Sequence, residues 1–229
     1  MTSVGGHPRQ AELEATLTAH LDQARARRCA SKEHAIAVQT LCALGRHGEA
    51  AALLDRLAAM PAGTAEDDEA LGFAAFAAGA HQLSRDCYAR VVDARPDDPL
   101  AWYNLAAGER TIGQLEAAEA ACDQALRLSP GAYEAALLRS VLRTQTVDRN
   151  HVEALQGMLE RAPAPPAIIS LHYALGKEYE DLGDYDAAFH HFSCGATVRR
   201  QTLSYEVADD VAKLRRIIES FDAGRLALA

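Results

Sequence analysis

The chain has 229 residues, 49% of them hydrophobic and only 6% aromatic, with a formal net charge of −9. That length and apolar content suffice for one continuous core, with alanine doing much of the packing. The acidic balance argues against a general affinity for nucleic acid, whose phosphates need clustered cations; the most apolar stretch, residues 70–80, is too short to span a membrane.

Residues 1–8 carry no apolar periodicity and are expected to form a flexible N-terminus. No charged-then-apolar leader opens the chain, which points to a cytoplasmic protein rather than a secreted one. Over residues 9–30, Leu13, Leu17 and Leu21 give one apolar stripe on an otherwise polar helix, as expected of an N-terminal cap.

The next segment is periodic. Gly45, Gly79 and Gly113 stand 34 residues apart, and their surroundings repeat with them. Residues 31–64 give Ala37, Leu41, Gly45, Ala50, Leu54 and Leu57, with a first helix beginning near Ser31. Residues 65–98 give Leu71, Gly72, Gly79, Ser84, Tyr88 and Pro96, opened by Thr64-Ala65-Glu66-Asp67. That opening predicts a capping box with Asp in place of Glu. Residues 99–132 give Trp102, Leu105, Gly113, Ala118, Ala125 and Pro130, opened by Asp98-Pro99. Asp98 is a good N-cap and proline is already set at helical φ. Each glycine falls where a left-handed residue is needed to end a first helix.

After residue 132 the pattern weakens. Residues 133–144 and 150–161 read as helices, but Val147 takes the glycine position, so 133–168 is a degenerate fourth hairpin. Prolines at 163, 165 and 166 then predict a break. Residues 169–202 restore the pattern with Leu175, Gly176, Tyr179, Gly183, Ala188 and Phe192. Over 205–221, Val207, Val211, Leu214, Ile217 and Ile218 form a last stripe, with Lys213, Arg215 and Arg216 on the wet side. Residues 203–229 are therefore expected to be a C-terminal capping helix and tail.

Position by position these units resemble the tetratricopeptide repeat, most closely over residues 99–132. The resemblance implies an all-α protein, a right-handed α-solenoid of about five helical hairpins with capping helices at both ends. It also implies that positions two, five, nine and twelve of each first helix face a concave groove. Here these are Phe73 and Phe76 in the second unit and Leu100, Tyr103 and Arg110 in the third. The fourth supplies Leu137, Val141 and Thr144, and the fifth Tyr173, Lys177 and Glu180. Apolar and aromatic in the middle, charged at its rim, such a surface suits a peptide or protein ligand anchored by apolar side chains. The alternative for Phe73 and Phe76 is burial under a neighbouring helix.

A carboxylate clamp of the co-chaperone kind is not expected. Its Lys and Asn positions hold Ala35 and Gln39 in the first unit and Glu69 and Phe73 in the second, and Asn104 alone matches. Residues 171–200 resemble the last repeat of bacterial tetratricopeptide–sulfotransferase proteins, centred on the string from Leu175 to Phe189. This implies kinship with the docking half of those enzymes, and a sulfotransferase catalytic domain as a possible partner. The Pro-Arg-Ser-Gly-Thr-Thr loop that would hold the donor has no equivalent here, so the activity is not implied.

No catalytic, cofactor or metal motif is found. HExxH, GxSxG and a P-loop are all missing, and nine histidines are scattered along the chain. Glu178, Glu180 and Asp181 are expected on a groove-lining helix in solvated or partner-facing roles. Five cysteines without CxxC spacing are read as reduced thiols, Cys122 taking a buried aromatic position of the repeat. The basic groups at Arg25, Arg27, Arg28 and Lys32, and at Arg199, Arg200, Lys213, Arg215 and Arg216, are read as solvated helix faces.

Overall fold

A computed structural model describes residues 8–162, 164–204 and 206–221, Pro8 by its backbone only. The segment expected to be flexible, up to residue 7, and the tail from residue 222 lie outside the described residues. Among the described residues there are twelve α-helices and no strand, only an isolated bridge between Thr146 and Arg149. The helices are α1 (Pro8–Arg25), α2 (Lys32–Ala43), α3 (His47–Ala58), α4 (Ala65–Ala77), α5 (His81–Ala94) and α6 (Pro99–Thr111). They continue as α7 (Leu115–Leu128), α8 (Tyr133–Ser140), α9 (Val152–Glu160), α10 (Pro165–Asp181), α11 (Tyr185–Thr202) and α12 (Val207–Ser220).

Neighbours in sequence are neighbours in space. α2 packs on α1, α3 and α4; α4 pairs with α5, α5 reaches α6, α6 pairs with α7, and α7 reaches α8. α10 then takes α8, α9 and α11. This is an all-α solenoid of stacked hairpins, each burying its apolar face on the next. The core follows in three clusters: around Val38, Leu41 and Leu54; around Val91, Leu105 and Cys122; and around Leu155, Leu171 and Leu175.

The local signals act as the chemistry requires. Gly45, Gly79, Gly113 and Gly183 close the turns of the first, second, third and fifth hairpins at φ between 72° and 83°, which a Cβ would strain. Thr64 and Asp67 form the capping box, Asp67 N donating to Thr64 Oγ1 at 3.2 Å and Thr64 N to Asp67 Oδ2 at 3.0 Å. Asp67 also accepts from Lys32 N at 2.9 Å, tying the start of α2 to the start of α4. Asp98 accepts from Leu100 N at 3.0 Å, and Pro99 opens α6. Ala118, Cys122 and Ala125 are fully buried, and burial pushes the Cys122 thiol up to about 12. Trp102 is only partly buried, its Nε1 donating to Pro96 O at 2.8 Å at the seam between hairpins. All five cysteines are free.

The structure corrects the expected boundaries at several points. The first helix stops at Arg25. α8 ends at Ser140, so residues 141–151 form a loop where a helix to 144 was expected. The expected break falls between Glu160 and Pro165, but the next helix starts earlier than residue 169: Pro165 and Pro166 open α10, because the first turn of a helix needs no N–H from them. The closing stripe does form a helix, but α12 has no buried residue, so it seals nothing in this chain.

Candidate partner-binding face

α4 buries Asp68, Leu71, Gly72, Ala74 and Ala75. Helical geometry therefore turns Phe73 and Phe76 to the opposite side, where they are 61% and 42% exposed. Neither is buried under a neighbouring helix, and the Phe76 ring stands edge-on to His81, ring centroids 5.4 Å apart. Ion pairs tie α4 to α5 and its C-cap: Arg90 on the buried Asp68 at 2.6 Å, and Arg95 on Glu69, which shares the face of Phe73 and Phe76, at 2.6 Å.

On α6, Leu100 is 57% exposed and Arg110 lies in solvent. Tyr103 is half-buried against the middle core cluster, and burial, with the charge of Glu134, pushes its phenol up. Leu100 and Tyr103 line a cavity of about 320 Å³ with Pro99, Tyr133 and Glu134. The cavity lies between the first turns of α6 and α8. Its far wall was not singled out in the sequence, yet the period contained it: Tyr133 and Glu134 follow Pro99 and Leu100 by 34 residues.

The remaining expected residues are less available. Leu137 is half-buried against the third cluster. Val141 stands at the C-cap of α8 and Thr144 in the loop beyond it, so neither occupies the helical position assigned to it. Tyr173 is partly buried, its ring centroid 6.4 Å from that of Phe192. Lys177 is paired with Asp181, which also accepts from Gln145 N at 2.8 Å. Glu180 is exposed. The cavity thus gathers Leu100 and Tyr103 and does not include Tyr173, Lys177 or Glu180.

Glu178 requires a correction. It is fully buried rather than solvated or partner-facing. Ser140 Oγ donates to its Oε1 at 2.6 Å, His151 N to its Oε2 at 2.6 Å, and His151 Nδ1 lies 3.0 Å from Oε1. Burial alone would push this carboxyl up, but the hydrogen bonds from His151 and Ser140 outweigh it and hold it below the usual range. Gln145, also buried, donates to Ser140 O at 3.2 Å and so caps α8 where it stops. Both oxygens of the carboxylate are thus engaged by the residues that flank the turn from α8 to α9.

A second polar feature appears between α10 and α11. His172 Nδ1 and His191 Nδ1 are 3.0 Å apart, and the Tyr179 ring stacks on His191 with centroids 5.4 Å apart. Burial holds both imidazoles below their ordinary pKa, and His190 nearby adds to this. Among the described residues, no group of three or more His, Cys, Asp or Glu side chains is arranged to hold a metal ion, and no helix is long and apolar enough to cross a membrane.

Comparison with known proteins bears on the fold. Residues 100–131 and 169–192 match the tetratricopeptide repeat. No curated protein matches the chain. Among solved structures, MamA is similar with a TM-score of 0.53 at 16% identity, over 73% of this chain and 97% of that one. BtubC from P. vanneervenii gives 0.57 at 14% identity, over 86% and 92%. YrrB, described as a TPR protein with an unusual peptide-binding site, gives 0.51 at 14% identity, over 81% and 93%. At these identities the likeness is one of fold, a solenoid of the tetratricopeptide type.

Proposed function

We propose that this chain, a solenoid of tetratricopeptide-type hairpins, is a non-catalytic scaffold that holds a peptide or protein segment against its first helices. The observation that carries the proposal is the exposure of Phe73, Phe76 and Leu100 on two successive first helices, Leu100 lining a cavity with Tyr103. Large apolar side chains left in water next to a concavity are what a partner's apolar anchor would cover. Tyr103, Leu137 and Tyr173 act as half-buried floor, while Arg110 and Glu180 set orientation at the rim. Lys177 is engaged with Asp181 and would contribute only if that pair opened.

The test uses the exposed residues, whose loss costs the fold little. A partner captured by the intact chain and identified by mass spectrometry is titrated, purified, against Phe73→Ala/Leu100→Ala. Affinity should fall at least about tenfold, the loss of two apolar anchors, with thermal melting unchanged. Unaltered affinity in the folded double variant would move the binding surface elsewhere.

A second reading is favoured by the order of elements at the end of the chain, where the fifth hairpin leads directly into an amphipathic helix. In that reading the chain docks on, or presents substrate to, a sulfotransferase catalytic domain. Calorimetric titration with such a domain decides it, and no heat of binding ends it.

A further inference from the structure

Among the described residues, α12 is the helix with no buried side chain. Its apolar residues Val207, Val211, Leu214, Ile218 and Phe221 are between 38% and 71% exposed. They follow one another at intervals of four, three, four and three. That average of 3.5 is the heptad repeat, and it keeps the stripe facing a partner helix along the whole seam. In heptad letters, Val211 and Ile218 take a, and Val207, Leu214 and Phe221 take d.

We propose that α12 joins two copies of this chain in a parallel, two-stranded coiled coil. Two independent features select a second copy as the occupant. The first is the chemistry of the seam, since in parallel coiled coils β-branched residues at a with Leu at d favour two strands over three or four. The second is charge. Asp210 falls at g and Arg215 at the next e, the pair of positions that meet across a parallel dimer. Within one helix these residues are five apart and do not face each other, since only spacings of three and four do. Asp210 instead lies 3.3 Å from Lys213 of its own helix, an exposed pair that rearranges at little cost. In a dimer, Asp210 of each copy meets Arg215 of the other, twice by symmetry. An antiparallel pairing sets g against g and e against e, and separates the two charges. Ile217, at the other g, widens the apolar edge of the seam.

The seam is only two heptads long, so the dimer should dissociate on dilution. Sedimentation equilibrium of the full chain should show a reversible monomer–dimer equilibrium. Leu214→Asp should weaken it at least about tenfold by placing a charge in the seam, without changing the melting of the solenoid. Asp210→Arg and Arg215→Asp should each weaken it, and the double exchange should restore it to within about twofold of the parent, as a coupled pair requires. A monomer at the highest soluble concentration overturns the proposal, including one that α12 stabilises by folding back on α11. Dimers indifferent to Leu214→Asp overturn it as well, and dimers without rescue by the double exchange overturn the parallel register.

Discussion

The third and fourth hairpins occupy nearly the same length of chain and are held together by opposite means. In the third, α6 and α7 run 13 and 14 residues and meet through small buried residues, Ala118, Ala121, Cys122 and Ala125. In the fourth, α8 and α9 run only 8 and 9 residues, and an eleven-residue loop, 141–151, lies between them. What the fourth loses in helix-on-helix packing it recovers from outside itself, as the Glu178 carboxylate on α10 accepts from Ser140 just before the loop and from His151 at its end. A repeat can therefore degenerate while the array persists, provided a neighbour supplies directional bonds in place of close contact.

The sharpest way to break this contrast is Glu178→Ala. It leaves Ser140, the backbone N–H of His151 and its imidazole without their acceptor in a dry site, and should cost about 3–5 kcal/mol in urea unfolding. Glu178→Gln, which keeps an acceptor oxygen, should cost less. Equal stability of the alanine variant would mean that the loop is held by packing after all. In the third hairpin the corresponding weak point is volume: Ala118→Leu should overpack the α6–α7 contact and cost about 1–3 kcal/mol. Unchanged melting of that variant would remove Ala118 from the interface.

A smaller effect separates the regions by pH. His172 and His191 have folded pKa values below the usual 6.5, chiefly through burial, so the unfolded chain binds protons first. Their contribution is fully present above the unfolded value and is lost as pH falls below it. Glu178 adds a second loss at lower pH, below its usual 4.5. Hydrogen exchange, corrected for intrinsic rate, should show α10 and α11 losing protection between about pH 7.5 and 5.5, while α6 and α7, which contain no histidine, hold theirs. Equal losses in both hairpins would assign the effect to the whole solenoid.

What could be read from the residues divides along the same line. The turn glycines, the Thr64–Asp67 box, the Asp98-Pro99 start and the buried alanines are local or periodic signals, and each stands where it was expected. Exposure of Phe73 and Phe76 was an open alternative in the sequence and is decided by which face of α4 the neighbours cover. The end of α8 and the burial of Glu178 depend on contacts 27 and 38 residues apart, and no periodicity encodes them. The His172–His191 pair is likewise a product of hairpin closure across 19 residues. Pro165 and Pro166 marked the break correctly but not the start of α10, because the same residue type ends one helix and opens another, and only the neighbouring backbone distinguishes the cases.

The Glu178 carboxylate also constrains how the array can be lengthened by duplication. At the seam between α5 and α6 the contacts are mainly apolar, with the Trp102 indole on Pro96 O and ion pairs that are long, Arg85 to Glu109 at 3.7 Å and Arg95 to Asp98 at 3.6 Å. A further 34-residue unit inserted there would meet two seams much like the original. The same insertion between α9 and α10 would carry Glu178 away from Ser140 and His151 and strand all three in the interior. The last two hairpins are thus coupled through one buried carboxylate, and a unit added between them would cost the fold a contact that one added between α5 and α6 would not.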